Sequence, residues 1–354
     1  MPLRGAFIGF GNVAASGHLP GWLARDGVRI VAVAEPAAER RAAAAQALPE
    51  ARLYADPGEL LERERLDFVD ICTPPASHVA AIGLAHAADV HVLCEKPTVT
   101  RAAELAPLAA EARRRGLALH TVHNWLKAPL CRRITALIGA GTLGTVQRIS
   151  WETLRTQPAM AVPAGGAANW RLDPALAGGG ILVDHGWHAL YCVARWAGAA
   201  AQSIAAKLET RKFTQWPLDD TATLTVSFPD ATASVFLTWT AETRSNRIAM
   251  AGTGGTLTVE DDTVVLENAA GRQAWPCPPA LAHGSHHPDW FSGVVDDFLA
   301  AISEPERDNL AEARFCAEAI GLAQVSSAAG GETVPFAGAA EAPSRSASTS
   351  SSSR

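Results

Sequence analysis

The residue types with the clearest chemistry lie in two separate segments of the chain. Lys96 stands in the run Cys94-Glu95-Lys96-Pro97, and Asp184 and His188 lie four residues apart at the start of a helix-like stretch. Residues at that spacing share one helix face, and a carboxylate beside an imidazole orients the ring and stabilises its protonated form. A lysine stabilises negative charge that develops on a substrate oxygen. These residues indicate proton transfer at a hydroxyl or carbonyl group.

Each of these residues also has a structural interpretation. A lysine before proline at a strand end is commonly a surface charge, and an aspartate four residues before a histidine is commonly an N-terminal helix pair. The residue types alone therefore leave the choice open.

A glycine turn near the start of the chain indicates a dinucleotide. Gly9, Gly11 and Ala14 form the spacing G-x-G-x-x-A after a strand-like run and before a helix-like one. This pattern allows a tight turn, a close approach of the backbone to a pyrophosphate, and close packing of helix on strand. Glu35, at the end of the next strand-like run, is placed to accept a hydrogen bond from a ribose 2'-hydroxyl. The predicted cofactor contacts here are Gly9, Phe10, Gly11, Asn12, Val13 and Glu35.

The same acidic residue bears on the choice of cofactor. Glu35 repels a 2'-phosphate, which favours NAD over NADP. Arg40 and Arg41 follow within about two helical turns, and we interpret them as a solvated helix face. The predicted cofactor is NAD, with NADP as the less favoured alternative.

Alternating runs in the first 121 residues supply the elements that position these groups. The strand-like runs cover 5–10, 29–35, 67–72, 90–94 and 117–122, and the helix-like runs cover 12–25, 37–47, 77–88 and 101–115. Strands that are apolar on both faces and alternate with helices are typical of a parallel sheet covered by helices. The sequence predicts a Rossmann NAD(P)-binding domain over residues 1–121.

Beyond residue 142 the pattern changes to alternating polar and apolar residues, as in 146–151, 222–228 and 232–237, with Pro229-Asp230 as a hairpin turn between the last two. Helix-like stretches at 184–197, 290–303 and 308–328 accompany these strands. The second domain, residues 122–337, is therefore predicted to be α+β with an antiparallel sheet. The serine-rich tail 338–354 is predicted to be disordered.

Composition excludes several classes of partner. The chain has 354 residues, 48% of them hydrophobic and 19% charged, and a net charge of -6. This charge, without a long basic run, argues against nucleic acid, and no apolar run approaches the roughly 18 residues of a membrane span. The first strand-like run begins too early for a secretory signal, so we expect a cytoplasmic protein. The six cysteines show no C-x-x-C pair and are expected to be small buried residues.

Three motifs in order carry a resemblance to a known family. They are C-T-P-x-x-x-H at 72–78, E-K-P at 95–97 and G-G-G-x-L-x-D-x-G-x-H at 178–188. Together they resemble the Gfo/Idh/MocA oxidoreductases over roughly residues 4–336. The resemblance implies a Rossmann domain followed by an α+β domain with a large open, mostly antiparallel sheet that packs against another subunit, as a homodimer or homotetramer. It also implies reactions on sugars or cyclitols such as inositol.

The resemblance further implies roles for individual residues. Lys96, Asp184 and His188 match the family's catalytic groups, with Lys96 touching both the substrate hydroxyl and the nicotinamide ribose. The predicted cofactor contacts in the later motifs are Thr73, Pro74, His78, Glu95 and Lys96. Two alternatives stay open, because His78 either caps its helix or lines the cofactor cleft, and Glu95 either contacts the cofactor or braces its turn.

The sequence departs from the family's pattern at two positions that are predicted to contact the substrate. Tyr191 stands where members often carry an aspartate, and Trp125 stands where they often carry an arginine. Arg171 is either a substrate clamp or a structural arginine. The predicted substrate contacts are Asn124, Trp125, Arg171, Tyr191 and His286.

The segment His283-Gly284-Ser285-His286-His287-Pro288-Asp289-Trp290 is rich in histidine. It is a metal site, a lid over the substrate, or a surface loop that caps the following helix. Adjacent histidines usually point apart, and no other His or Cys cluster stands out, so we predict no metal.

The predicted function is an NAD(P)-dependent dehydrogenase or reductase that interconverts a secondary hydroxyl and a ketone on a sugar, amino sugar or cyclitol. Two alternatives belong to other classes. One is an NAD-dependent glycoside hydrolase with transient oxidation, and the other is a non-catalytic regulator that binds NAD(P) or a sugar.

Overall fold

A parallel sheet forms the N-terminal part of the protein. The computed structural model of the whole chain describes residues 2–159 and 169–337. Its strands are β1 (Leu3–Ile8), β2 (Val28–Ala34), β3 (Arg52–Tyr54), β4 (Phe68–Ile71), β5 (His91–Cys94) and β6 (Leu119–Thr121). They lie in the order β3-β2-β1-β4-β5-β6, and every neighbouring pair is parallel. This is the order of a dinucleotide-binding sheet, so the predicted Rossmann fold is confirmed.

Helices connect these strands: α1 (Leu19–Leu23), α2 (Ala38–Ala47), α3 (Pro57–Arg63), α4 (His78–Ala87) and α5 (Leu105–Arg115). A π-helical turn, Val13–His18, leads into α1, so the predicted helix 12–25 is present in two parts. Strand β3 and helix α3 are not among the elements predicted from the sequence. A capping signal for α3 was present, because Asp56 accepts a hydrogen bond from the Glu59 N–H at 3.0 Å and Pro57 follows it.

The second sheet has the order β14-β13-β12-β11-β7-β10-β9-β8-β15. Its strands are β7 (Val146–Leu154), β8 (Ser203–Glu209), β9 (Thr221–Ser227), β10 (Thr232–Thr238), β11 (Ser245–Gly252), β12 (Gly255–Glu260), β13 (Thr263–Asn268), β14 (Gly271–Pro276) and β15 (Val334–Pro335). Its pairings are antiparallel except for the parallel pair β7 and β10. The hairpin predicted at Pro229-Asp230 joins β9 to β10 and is confirmed.

Helices of the second half are α6 (Pro129–Gly139), α7 (Pro174–Ala177), α8 (Trp187–Ala197), α9 (Pro288–Ser303) and α10 (Leu310–Ala328). α8 packs on β7, and α10 packs on β8 and α8. Trp187, Tyr191 and Trp196 of α8 are at most 2% exposed. This helix therefore lies in the core, and its first turn is held firmly near the parallel sheet.

Helix α9 packs against the N-terminal part of the protein. α9, which the sequence placed with the second domain, packs against α1. Phe291 and Phe298 of α9 lie edge-on to the Trp22 ring at 6.0 and 6.1 Å. Burial of these aromatic rings explains the placement, since it removes a large apolar area from water. The loop before α9 thereby lies close to Gly17, in the turn that leads into α1.

No helix in residues 2–159 and 169–337 is both long and apolar enough to cross a membrane. The tail 338–354, predicted to be disordered, lies outside the described residues.

Candidate active site

A cavity of about 420 Å³ opens at the carboxyl ends of the parallel strands. Its walls come from the loops after β1, β4 and β5 on one side, and from α8, the end of β7 and the loop before α9 on the other. Open α/β sheets bind ligands at this edge. The cavity therefore joins the predicted dinucleotide turn to the predicted catalytic residues.

The glycine turn has the geometry of a backbone cradle. Gly9 has φ of +86°, and a Cβ at this position would lie 3.0 Å from the carbonyl of Cys72, so both conformation and space require glycine. The Phe10 N–H donates to Glu35 Oε2 at 2.8 Å, and the Ala37 N–H donates to Oε1 at 2.9 Å. Glu35 is thus fixed beside the turn at the end of β2, as predicted, while Phe10 packs its ring into the core.

The two arginines after Glu35 contact this region, which corrects the interpretation of a solvated helix face. The Arg41 Nη1 donates to the carbonyls of Glu35 at 2.7 Å and Pro36 at 2.6 Å. The Arg40 Nη1 lies 3.6 Å from the position of a Cβ on Gly11. Both side chains are half-buried against the turn.

Lys96 and Asp184 meet across the cavity. The Lys96 Nζ donates to the backbone carbonyl of Asp184 at 2.6 Å and lies 3.3 Å from Oδ1. Burial alone would raise the pKa of Asp184, but His185 and Lys96 outweigh it and hold the pKa well below its ordinary value. The carboxylate is therefore charged and fixes the ammonium group of Lys96 at one position.

His188 has a different partner from the one the sequence predicted. Its Nδ1 is 2.8 Å from the Tyr191 hydroxyl, and its ring stacks on Trp125 with centroids 4.5 Å apart. Burial, together with the charge of Lys96, lowers the pKa of His188 well below its ordinary value. The imidazole is therefore neutral near neutral pH.

The expected pair of Asp184 and His188 is not formed. Asp184 Oδ2 instead lies 3.2 Å from His185 Nδ1. Asp184 lies in a π-helical turn over Leu182–Gly186 and is held by Lys96, whereas His188 lies in the first turn of α8 and is paired with Tyr191. Both side chains still line the same cavity.

Two predicted contact residues lie behind the cavity and require correction. Tyr191, predicted to touch the substrate, has no exposed surface, and its oxygen accepts from the Trp125 N–H at 3.1 Å. His78, predicted to cap α4 or line the cofactor cleft, is also fully buried. Its ring nitrogens lie 2.8 Å from the Pro97 carbonyl and 2.9 Å from the Thr73 carbonyl. His78 thus joins the two loops that follow β4 and β5.

Eight more of the predicted contacts line the cavity, whereas Pro74 is not among its lining residues. Asn12, Val13, Thr73, Glu95, Asn124, Trp125, Arg171 and His286 all line it. Thr73 Oγ1 is buried with no hydrogen-bond partner among the described residues. An orphaned hydroxyl in a cavity wall is a group that a ligand can satisfy.

A buried chain of charges that sequence reasoning missed lies beneath the cavity. His18 Nδ1 is 2.9 Å from Asp70 Oδ2, and its Nε2 is 3.0 Å from Glu95 Oε1. The Trp22 Nε1 donates to the same Asp70 oxygen at 2.7 Å, and the His18 ring stacks on Phe291 at 3.8 Å. The other oxygen of Glu95 accepts from the backbone N–H of Lys96 at 2.9 Å, so this series of contacts ends at Lys96.

The protonation of this chain follows from its geometry. Burial by itself lowers the pKa of His18, but Asp70 outweighs it and the pKa is raised well above its ordinary value. His18 Nδ1, Asp70 and Cys72 Sγ lie within 4.8 Å of one another, a spacing that can hold a metal. Both ring nitrogens face carboxylates, however, so the ring is best satisfied as an imidazolium with no lone pair to give. Cys72, expected to be a plain buried residue, lies in the cavity wall.

The histidine-rich loop forms part of the cavity wall. His286 and His287 have φ of +73° and +39°, which is uncommon for residues other than glycine. The His287 ring stacks on Trp290 with centroids 3.5 Å apart, and the His286 carbonyl lies 3.1 Å from a Cβ position on Gly17. Gly284, Ser285, His286 and His287 therefore lie at the cavity.

The glycine triplet positions Asp184 through its contact with a neighbouring loop. The N–H groups of Gly180 and Leu182 donate to the two oxygens of Asp219 at 3.0 and 2.8 Å. A Cβ on Gly180 would lie 2.0 Å from the Asp219 carbonyl oxygen. Only glycine therefore allows this turn to approach so closely, which explains the motif.

Comparison with known families adds to these observations. A model described as the oxidoreductase family with an NAD-binding Rossmann fold matches residues 3–123. A model of the GFO/IDH/MocA C-terminal domain matches residues 131–258. Together the two cover more than two thirds of the chain.

Curated relatives match part of the chain. D-apiose dehydrogenase of Paraburkholderia graminis is 36% identical over 142 residues, which are 40% of this chain and 38% of the relative. D-glucoside 3-dehydrogenase of Escherichia coli is 29% identical over 189 residues, which are 53% of this chain and 52% of the relative. The chain thus aligns with about half of these relatives or less.

Solved structures match nearly the whole chain. An oxidoreductase from Agrobacterium radiobacter in complex with NAD+, L-tartaric acid and magnesium has a TM-score of 0.83 at 20% identity, covering 95% of this chain and 98% of that one. Levoglucosan dehydrogenase in complex with NADH and levoglucosan has a TM-score of 0.80 at 19% identity, covering 95% and 99%. At these identities the likeness establishes the fold.

Proposed function

The chain belongs to the Gfo/Idh/MocA family of oxidoreductases with an NAD-binding Rossmann fold, and from that premise we propose its activity. It interconverts a secondary hydroxyl and a ketone on a sugar or cyclitol, with NAD as the hydride carrier. The observation that carries this proposal is the meeting of Lys96, Asp184 and His188 in one cavity that continues to the glycine turn.

The residues at the glycine turn fit the cofactor. Gly9 and Gly11 leave the backbone open to a pyrophosphate, with only the tip of Arg40 near the second glycine. Each Glu35 oxygen accepts one backbone N–H and retains a further lone pair for a ribose hydroxyl. The orphaned Thr73 hydroxyl lies on the path from this turn to Lys96. NAD, when bound, supplies the carbon atom that takes or returns a hydride.

Lys96 stabilises negative charge on the substrate oxygen. Its ammonium group is held by the carbonyl and the carboxylate of Asp184 and retains a third N–H for the substrate. A fixed cation in the cavity wall stabilises an oxygen that gains negative charge, because the protein has already oriented it. Asp184 thus acts by positioning Lys96 and by keeping a negative charge beside it.

His188 accepts and returns the hydroxyl proton. The ring is neutral, so it can accept the hydroxyl proton at Nε2 while Nδ1 remains paired with Tyr191. Burial raises the pKa of Tyr191, so the phenol stays protonated and does not compete as a base. Trp125 covers one face of the imidazole and excludes water from it. In the reverse direction the same nitrogen returns the proton to the oxygen.

The names of several relatives support a carbohydrate substrate. D-apiose dehydrogenase and D-glucoside 3-dehydrogenase are named for sugars, and a third set of relatives is named for a reductase of a keto sugar nucleotide. The aromatic residues Trp125, Trp170 and Trp239 in the cavity wall also suit a sugar ring.

A substrate screen tests the proposal. The purified protein is incubated with inositols, aldoses, amino sugars and their keto forms, with NAD and NADP in parallel, and absorbance of the reduced cofactor is followed. We expect net NADH formation with at least one alcohol, or NADH consumption with its ketone. Binding of NAD without any redox change would favour a regulator, and glycoside cleavage without net NADH would favour a hydrolase.

A further inference from the structure

The cavity wall carries an excess of positive charge on its substrate side. Arg155 at the end of β7, Arg171 in the 3-10 turn Trp170–Leu172, and Arg244 before β11 all line it. None of the three has a carboxylate within ion-pair distance among the described residues. The described carboxylates in the same wall are already engaged, Asp184 by Lys96 and Glu95 by His18.

Arg155 is the most unusual of the three because it is buried. Its side chain is 3% exposed, and its Nη1 donates to the carbonyls of Leu154 at 2.8 Å and Ser245 at 3.0 Å. Its Nη2 donates to Asn246 Oδ1 at 2.8 Å, and its Nε has no partner among the described residues. Burial, with Arg244 as a nearby cation, outweighs the opposing effect of Asp184 and lowers the pKa of Arg155 to about 9. A buried charge whose hydrogen bonds are all to neutral groups is costly unless a ligand compensates it.

Arg171 and Arg244 are also held by neutral groups. The Arg171 guanidinium stacks on Trp170 at 4.3 Å from the ring centroid. The Arg244 Nε donates to the Ala282 carbonyl at 2.6 Å, and its Nη2 donates to the Gly284 carbonyl at 2.8 Å. These contacts fix the direction of each guanidinium without neutralising it, and leave N–H groups that make no hydrogen bond with the described residues.

Between Arg155 and Arg171, the stretch outside the described residues adds no acid that could pair with these arginines. The segment between Arg155 and Arg171 contains the stretch 160–168, Met-Ala-Val-Pro-Ala-Gly-Gly-Ala-Ala, which has no acidic residue. The pyrophosphate of the cofactor has its own predicted cradle in the turn after β1, whereas all three arginines lie on segments that follow the parallel sheet in the sequence.

We propose that the substrate carries an anionic group, a carboxylate or a phosphate, which Arg155, Arg171 and Arg244 attract into the cavity and orient. Guanidinium groups match the planar oxygens of carboxylates and phosphates and bind them by paired hydrogen bonds. The hydroxyl to be oxidised then faces Lys96 and His188. Its carbon gives a hydride to NAD, its proton goes to His188, and the anionic group is unchanged. This inference rests on the proposed function and narrows its substrate class.

Matched substrates test the inference. Rates with NAD are measured for D-glucose, D-glucuronate and D-glucose 6-phosphate, and for the corresponding galactose and mannose sets. We expect at least one anionic member to exceed its neutral counterpart in kcat/KM by about tenfold or more, the effect of one charge-assisted hydrogen bond. The uronates and the phosphates distinguish the two sources of charge. A neutral sugar that reacts as well as every anionic counterpart would overturn the inference and leave the proposed function standing.

Arg171→Gln supplies the variant, with Arg148→Gln as its control. Arg148 is exposed on β7 and does not line the cavity. Arg171→Gln should lower kcat/KM for the anionic substrate at least about tenfold more than for its neutral counterpart, while Arg148→Gln leaves their ratio unchanged. An equal loss for both substrates, or a raised KM for NAD instead, would assign Arg171 to another role and overturn the inference.

Calorimetric titration of the NADH-bound protein with sugars and anions distinguishes failure of the proposed function from failure of the inference about the anionic group. If no sugar reacts, the proposed function fails, but the uronates, inorganic phosphate and the neutral sugars can still be compared as ligands. Tighter binding of an anion that weakens in Arg171→Gln supports the inference. Equal binding of anions and neutral sugars contradicts it.

Discussion

Replacing Tyr191 by Phe removes one oxygen atom and two hydrogen bonds behind His188. The phenol is completely buried, so water cannot replace the lost partner of the Trp125 N–H or of His188 Nδ1. An unsatisfied buried polar group costs about 1–3 kcal/mol. In a chain of 354 residues this lowers the melting temperature by roughly 1–4 °C.

The kinetic effect of Tyr191→Phe should exceed this modest loss of stability. Without the hydroxyl, His188 keeps only its stacking contact with Trp125 and can rotate away from the substrate oxygen. Partners that orient functional histidines at metal sites are worth about ten- to a hundredfold, and we expect kcat to fall by a similar factor. The affinity for NAD should stay the same, because Tyr191 does not line the cavity.

The chain supplies a matched control, since Tyr54 is its other tyrosine. The Tyr54 hydroxyl donates to Glu64 Oε1 at 2.6 Å, at the far side of the parallel sheet. Tyr54→Phe should also lower the melting temperature but leave kcat unchanged. Melting curves and steady-state rates are measured for both variants. Wild-type kcat in Tyr191→Phe, or an equal loss of kcat in both variants, would refute the role assigned to Tyr191.

Three further changes test other parts of the account. Glu35→Ser removes the carboxylate that opposes a 2'-phosphate, so kcat/KM for NADP relative to NAD should rise by about tenfold or more; an unchanged ratio contradicts the ribose contact. His18→Gln removes a group whose pKa is raised by folding. Protonated His18 therefore stabilises the folded protein fully below about pH 6.5, and this stabilisation is lost as the pH rises through the pKa of the folded state. The difference in free energy of unfolding between wild type and variant should shrink toward alkaline pH, and a constant difference would exclude a charged His18. Gly180→Ala drives a Cβ toward the Asp219 carbonyl and should lower the free energy of unfolding by about 1–3 kcal/mol, whereas Gly321→Ala, in open space on α10, should not.

Much of the site was predictable because its signals are local. The glycine turn, Glu35 and the tripeptide around Lys96 each follow a strand whose apolar run is visible in the sequence. Parallel strands end at one edge of a sheet, so the turn and Lys96 had to lie near each other. The motif around Asp184 was visible too, as a glycine triplet.

Other parts were not predictable because they depend on distant or irregular geometry. His18 meets Asp70 and Glu95, which are 52 and 77 residues away in the sequence, and no local pattern marks such a pairing. The partner of His188 was misassigned because spacing in the sequence does not show that Asp184 is engaged by Lys96, which is 88 residues away, or that His188 meets Tyr191. No motif in the sequence marks Arg155, whose burial at the end of β7 depends on contacts with residues about 90 positions away.

The central claim is that Lys96 and His188 act on a substrate hydroxyl beside bound NAD. The most direct test compares wild type, Lys96→Met and His188→Gln in two parallel assays, NADH formation with the best substrate and fluorescence titration with NAD. We predict that either change lowers turnover by about 10²–10⁴-fold, while the dissociation constant for NAD changes by less than about threefold. Wild-type turnover in either variant would contradict the claim.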